Sequence, residues 1–140
     1  MTFDKFTIKA QEAIQEAVNL VQARGQQAIE PEHLLAGILK VGENVTNFLF
    51  QKLGVNSRQI EQILESQIAS LPKVQGGEPY LSRESNEVLT RAQDYASKGG
   101  DEFVSLEPML LALLTVKSTA SRILKDAGIT EKELVSAVNE

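Results

Sequence analysis

Apolar positions recur along the chain at helical spacing, and one apolar segment occurs twice. The two copies read AIEPEHLLAGIL at residues 28–39 and FVSLEPMLLALL at residues 103–114. Each begins with two apolar residues, then a cap-like Glu30 or Ser105, a proline in the first turn and a run of Leu, Met and Ala. Proline costs little in a first helical turn, where its missing N–H has no partner. Because the following residues are apolar on nearly every face, we predict two buried central helices, each with its own small core.

The same elements recur around both segments. Ahead of the first, Thr7 is a candidate N-cap, and apolar residues follow at helical spacing until Gly25 ends the helix. Behind it, Asn44 is a candidate cap for a short helix that ends at Gly54, and Asn56 is a candidate cap for a longer one. The second half offers matching caps and stops at Ser82, Gly99-Gly100, Ser118 or Thr119, Gly128 and Thr130.

An offset of 75 residues aligns the two halves. Identical pairs at this offset are Glu12/Glu87, Ala17/Ala92, Gly25/Gly100, Glu32/Glu107, Leu35/Leu110 and Leu39/Leu114. After one deletion the offset becomes 74, and Gly54 then matches Gly128, so we expect both glycines to follow equivalent helices in a left-handed conformation. No stretch reads as a convincing strand. We therefore predict an all-α fold of two four-helix repeats, residues 1–70 and 80–140, joined by a linker over residues 71–79 that contains two prolines and a glycine pair.

Composition and charge narrow the classes of function. The chain is 42% hydrophobic and 24% charged, which is typical of a soluble globular protein. Its net charge of −5 argues against binding to nucleic acid or to an anionic membrane surface. It has no cysteine, its first residues form no apolar leader, and its longest apolar run, Met109–Leu114, is too short to span a bilayer. We expect a cytoplasmic protein.

Motifs for catalysis are weak. Residues 99–103 spell GGDEF, the signature of diguanylate cyclases, but there the motif lies on a β-hairpin of an α/β domain, and here it joins two predicted helices. His33 is the single histidine, so we interpret it as a structural hydrogen-bonding residue near the start of the first central helix rather than a zinc ligand. Neither a nucleophile elbow nor a phosphate-binding loop is present in the sequence. We predict no metal site and no enzymatic activity, with a cyclase as a distant alternative.

Four aromatic residues fall near the starts or edges of elements: Phe3, Phe6, Tyr80 and Tyr95. One interpretation is that they are partly buried packing residues. The other is that some of them line a shallow groove between the two repeats, where solvent reaches apolar surface.

The repeats resemble a known family, the Clp amino-terminal (repeat) domain of the Hsp100 chaperones and proteases. The resemblance rests on FDKFTIKAQEAI near the start, on IEPEHLLAGIL and on FVSLEPMLLALL, and it covers essentially the whole chain. The linker SLPKVQGGEPYLSRE and the absence of a histidine after Ser105 resemble the disaggregase branch of that family rather than its protease partners. The resemblance implies an all-α domain of eight helices, in which two four-helix repeats are related by a pseudo-twofold axis.

The resemblance also implies a function. Such a domain is mobile on a hexameric AAA+ ring and engages unfolded or aggregated polypeptides before they are threaded. ATP with Mg²⁺, and cooperation with the Hsp70 system, belong to the parent protein, so no cofactor is expected in this domain. An alternative is a Clp-type helical adaptor or protease-associated module that recognises one specific partner protein.

Candidate site residues follow from the family by position. Substrate contact is attributed there to an apolar groove and to polar residues beside it. The polar candidates are Thr7, Asp101 and Glu107, and the groove candidates are Leu89, Arg91, Tyr95 and Pro108. Arg91 departs from the more apolar residue expected at its position. Thr7 could equally serve only as a helix cap, and Asp101 and Glu107 only as charges favoured at the start of a helix.

Overall fold

A computed structural model describes residues 2–139 of the chain. Within that range it contains eight helices and two very short strands. In chain order the elements are α1 (Ile8–Ala23), β1 (Ala28–Ile29), α2 (Pro31–Val41), α3 (Glu43–Leu53), α4 (Ser57–Ala69), β2 (Tyr80–Leu81), α5 (Arg83–Lys98), α6 (Leu106–Thr115), α7 (Thr119–Asp126) and α8 (Glu131–Val138). The predicted all-α fold of two four-helix repeats is confirmed.

Side-chain caps fix the starts of the outer helices in both repeats. In each case the cap oxygen accepts a hydrogen bond from a backbone N–H in the first turn, which would otherwise lack a partner. The pairs are Thr7 with Ala10 (3.1 Å), Ser82 with Ser85 (3.1 Å), Asn56 with Gln59 (3.2 Å) and Thr130 with Glu133 (3.2 Å). The caps at Thr7 and Ser82, and those at Asn56 and Thr130, occupy equivalent positions in the two repeats.

The start of α3 differs from the prediction. Asn44 lies inside this helix, and the N-cap position is Gly42, which also ends α2. With one residue between the two helices there is no turn for an asparagine cap to close. The prediction that Gly54 and Gly128 occupy equivalent left-handed positions is confirmed, since their φ angles are 69° and 101°.

Two short parallel strand contacts join the repeats, whereas no strand was predicted. In one, Ile29 of β1 lies opposite Leu81 of β2, and in the other an isolated bridge pairs Phe6 with Val104. The offset of 75 relates Phe6 to Leu81 and Ile29 to Val104, so these are two copies of one contact. The backbone bonds repeat as well: the Thr7 N–H donates to the Val104 carbonyl (2.9 Å), and the Ser82 N–H donates to the Ile29 carbonyl (3.1 Å). Segments this short carry no alternating pattern from which a strand can be predicted.

The central helices α2 and α6 are buried as predicted, but they share a single core. Leu34, Leu35 and Ile38 of α2 and Met109 to Leu114 of α6 belong to one continuous hydrophobic cluster that spans both repeats. Gly42 lies against α6, and a Cβ at that position would require the end of the Leu106 side chain to shift. The expectation of two separate small cores was therefore wrong. No helix of the described residues is long and apolar enough to cross a membrane.

Candidate functional site

Four of the seven candidate site residues line one groove. The groove has a volume of about 570 Å³ and lies between the end of α5, the start of α6 and α8. Tyr95, Asp101, Glu107 and Pro108 contribute to it. We call it the second-repeat groove, and its further lining residues are Lys98, Gly99, Ser105, Leu111, Val135, Val138 and Asn139.

The other three candidates lie outside the lining of this groove. Leu89 is fully buried in the core, so its side chain is not available to a bound polypeptide. Arg91 is half-buried, and its guanidinium donates to the Thr115 carbonyl oxygen at 3.0 Å. Thr7 is half-buried and caps α1 beside the bridge to Val104.

Tyr95 is held in place by the end of α6. Its hydroxyl lies 3.0 Å from the Thr115 hydroxyl, which in turn donates to the Leu111 carbonyl at 3.1 Å. The hydrogen bond from Arg91 to the Thr115 carbonyl also stabilises this last turn of α6. Because the polar end of the tyrosine is engaged, its half-buried ring forms an apolar wall that is fixed by these bonds.

Apolar residues from α6 and α8 complete the groove. Leu111 is buried beneath it, and Val135 and Val138 are half-buried on α8. Residues of α8 are far in sequence from Tyr95, and their part in the site was missed for that reason. The available signal is the helical spacing of Leu134, Ala137 and Val138, which indicates an inward face for the last helix but not the helix that this face contacts.

Two carboxylates belong to the lining of the groove. Asp101 is exposed in the turn after α5, where its N–H donates to the Ala96 carbonyl at 2.8 Å. Glu107 is half-buried in the first turn of α6, where a negative charge is favoured by the helix dipole. The GGDEF segment is therefore a helix-to-helix turn. Among the described residues, no group of three or more Asp, Glu, His or Cys side chains could hold a metal ion.

In the first repeat, a hydrogen-bonded pair occupies the two positions that correspond to Asp101 and Pro108. At the offset of 75 residues, Gln26 corresponds to Asp101, and His33 corresponds to Pro108. Gln26 is buried, its amide donates to the Ile68 carbonyl at 2.7 Å, and its oxygen lies 2.8 Å from Nε2 of His33. An aspartate and a proline cannot form this relay, because neither carries the N–H donors that it needs.

The protonation state of His33 follows from its bonds. Its Nδ1 accepts the backbone N–H of Glu30 at 2.9 Å, so the proton is on Nε2 and is donated to Gln26. Burial, with a smaller effect of the Arg24 charge, lowers the pKa of His33 to about 4. The interpretation of His33 as a structural hydrogen-bonding residue is confirmed.

Glu32 and Glu107 show how equivalent residues have diverged in their surroundings. Glu32 is buried with only 5% of its surface exposed, whereas Glu107 lines the second-repeat groove. Burial raises the pKa of the Glu32 carboxyl, and Glu30 and Glu84 add to this effect. The same glutamate is therefore enclosed in one repeat and accessible in the other.

Comparison with known proteins places these features in a family. The family model described as the Clp repeat (R) N-terminal domain matches residues 5–127. The chain is 71% identical over 140 residues to the chaperone protein ClpB of Bacteroides thetaiotaomicron and 51% identical to that of Porphyromonas gingivalis. In both comparisons the whole chain is covered, but it spans only 16% of the relative's length.

Solved structures share the fold at lower identity. The Hsp104 N-terminal domain of Candida albicans superimposes with a TM-score of 0.85 at 24% identity, covering 98% of this chain and 91% of that one. The N-terminal domain of the ClpV1 ATPase of E. coli gives a TM-score of 0.83 at 23% identity, covering 96% and 83%. At these identities the two structures establish the fold alone.

Proposed function

The chain belongs to the family of Clp repeat (R) N-terminal domains, and from this premise we propose that it recruits substrates for an ATP-dependent protein disaggregase. Its ligands would be exposed apolar segments of unfolded or aggregated polypeptides. The linker sequence resembles the disaggregase branch of the family, and the relatives reported above are ClpB chaperones, which is consistent with that resemblance. The observation that carries the proposal is the second-repeat groove, whose walls are formed by Tyr95, Pro108 and Leu111 with two valines of α8.

The groove has the properties that a general polypeptide receptor needs. Apolar side chains form part of its walls, so a bound segment gains free energy by removing apolar surface from water, at ~25 cal/mol per Å². No hydrogen-bonded relay links Asp101 and Pro108, whereas Gln26 and His33 form one at the equivalent positions of the first repeat. Its lining also carries two carboxylates, Asp101 and Glu107, and the polar residues Lys98, Ser105 and Asn139.

The remaining steps of disaggregation belong, in this proposal, to the parent protein. The relatives named ClpB are about six times longer than the chain. We assign to that additional length a hexameric AAA+ ring, with ATP and Mg²⁺ as its cofactors and with the Hsp70 system as a partner in the cytoplasm. The domain itself would hold no nucleotide and catalyse no reaction.

Binding should be weak, since a receptor that passes varied chains to a motor must also release them. We expect a Kd of roughly 10 μM to 1 mM, or about −7 to −4 kcal/mol. A fluorescence titration of the domain with several unrelated unfolded proteins measures this, and the affinity should change little between low and moderate salt. A steep loss of affinity with salt would instead show that Asp101 and Glu107 lead the binding.

A specific adaptor is the competing function, and the two carboxylates beside the groove are the feature that favours it. An adaptor would bind one folded or unfolded partner protein tightly and would not bind other proteins. The same panel of unfolded proteins separates the two functions, because a disaggregase domain binds most members of the panel with similar weak affinities.

A further inference from the structure

The first repeat has a groove of its own at the pseudo-twofold equivalent of the second-repeat groove. It has a volume of about 420 Å³ and lies between α1, α2 and α4. We call it the first-repeat groove. Its apolar floor consists of Leu20, Ala36, Leu39, Leu64 and Ile68, and its rim consists of Lys40, Glu43, Glu61 and Glu65.

The repeat offsets show that the two grooves are related. At an offset of 75 residues, Leu20 corresponds to Tyr95 and Ala36 corresponds to Leu111. At the offset of 74 residues that applies after the deletion, Leu64 corresponds to Val138. These three pairs of lining residues therefore occupy equivalent positions, and their side chains are apolar or aromatic in both repeats. The groove is consequently a property of the duplicated unit and not an accident of one surface.

The rims of the two grooves differ in charge. Where the second repeat has Val135 on α8 and Asn139 directly after α8, the first repeat has Glu61 and Glu65 on α4. Glu43 adds a third exposed carboxylate from the start of α3. The first-repeat groove thus combines an apolar floor with an acidic rim.

Most of the positive charge at this rim is already neutralised. The Lys40 ammonium pairs with Glu16 at 3.0 Å, and the Arg24 guanidinium pairs with Glu65. Among residues 2–139, neither Glu43 nor Glu61 forms an ion pair. A ligand that brings cations to this rim would therefore meet two carboxylates without a competing internal partner.

We propose that the first-repeat groove binds polypeptide segments in which apolar side chains are flanked by lysine or arginine. The apolar side chains lie on the floor between Leu20 and Leu64, and the flanking cations lie against Glu43 and Glu61. This site is separate from the second-repeat groove and does not depend on the function proposed for it. Its binding is led by charge at the rim, whereas binding in the second-repeat groove is led by apolar contact.

The test is an NMR titration of the isotopically labelled domain with two short synthetic peptides. One peptide has a pair of leucines flanked by lysines, and in the other every lysine is replaced by glutamate. We expect the lysine peptide to shift the amide signals of Ala36, Glu61 and Leu64, and its affinity to fall as salt is raised. We expect the glutamate peptide to leave those signals unchanged.

Two variants make the test specific. The double variant Glu43→Lys with Glu61→Lys changes two exposed side chains and should weaken binding of the lysine peptide by about tenfold. Glu87→Lys makes one such charge reversal on the exposed face of α5, away from the lining of both grooves, and should have little effect. Circular dichroism confirms that each variant keeps its helices.

Three results would overturn the proposal: no shifts in the first repeat, equal binding of both peptides, or equal weakening by Glu87→Lys. None of them bears on the second-repeat groove, which the panel of unfolded proteins tests. Conversely, if the domain does not bind unfolded proteins but binds the lysine peptide near Glu61, the proposed function is wrong and the first-repeat site is retained.

Discussion

At the scale of single residues, a few substitutions make two copies of one unit behave differently. Gln26 and His33 in the first repeat form a buried relay, and Asp101 and Pro108 at the same places in the second repeat form none. Tyr95 replaces Leu20 and gains a bond to Thr115 through its hydroxyl. Each change alters the side chains that surround the groove positions of its repeat.

Tyr95 is the residue whose change should affect binding most directly. A carboxylate at this wall would lie against apolar substrate side chains, so Tyr95→Asp should weaken binding of an unfolded protein roughly fivefold to tenfold, or about 1–1.4 kcal/mol. Tyr95→Phe keeps the ring and should bind like wild type. Tyr80→Asp is a matched surface control, because Tyr80 is 55% exposed and does not line this groove. Wild-type affinity in Tyr95→Asp, measured by the same fluorescence titration, would show that the groove is assigned wrongly.

His33 should make stability depend on pH in a defined window. Its pKa falls from an ordinary value near 6.5 to about 4 on folding, so the folded state binds the proton less readily than the unfolded state. Stability is therefore complete above pH 6.5 and declines as pH falls toward 4, by up to about 3 kcal/mol in total. Glu32, whose pKa is raised by burial, acts in the opposite direction, because its carboxyl binds a proton more readily in the folded state.

Urea unfolding at several pH values between 7 and 5 measures this decline. His33 is the single histidine, so no other histidine contributes to it. In His33→Gln the pH dependence in this window should largely disappear, whatever the overall stability of the variant. Equal stability of the wild type at pH 7 and pH 5 would contradict the account.

At the scale of elements, α2 and α6 are the central buried helices of the fold, and both could be predicted from the sequence. Their near-continuous apolar sequences, with proline in the first turn, indicated central buried helices before any contact was known. Caps such as Thr7 and Ser82 were predictable because their hydrogen bonds are local. The strand contacts and the part of α8 in the groove were not, because each depends on segments distant in sequence.

Truncation of the central helices should be costly. Leu35 and Leu110 are equivalent residues of α2 and α6 with 0% and 1% of their surface exposed. Leu35→Ala and Leu110→Ala should each lower the free energy of unfolding by about 2–5 kcal/mol, through lost burial and the cavity left behind. Ile8→Ala is a control, since Ile8 is 77% exposed and its truncation should cost less than about 0.5 kcal/mol. Chemical denaturation measures all three, and a cost below about 1 kcal/mol for either leucine would mean that its helix is not central.

At the scale of the whole molecule, the duplicated unit gives two grooves on one shared hydrophobic core. The paired strand contacts at Ile29–Leu81 and Phe6–Val104 tie each repeat to the other, and the central helices share one hydrophobic cluster. The central claim is that the groove of the second repeat, rather than its counterpart, receives apolar polypeptide. Family membership supports a chaperone domain, and the difference between the repeats supports this choice of surface.

The most direct measurement is an NMR titration of the labelled domain with an unfolded polypeptide that is rich in apolar residues and contains no lysine or arginine. Such a ligand avoids the charge-led binding proposed for the first repeat. We predict shifts in the amide signals of Tyr95, Glu107 and Leu111 and of Val135 to Asn139, while Leu20 and Ala36 remain unchanged. Shifts centred on Leu20 and Ala36, or no shifts at millimolar ligand, would contradict the claim.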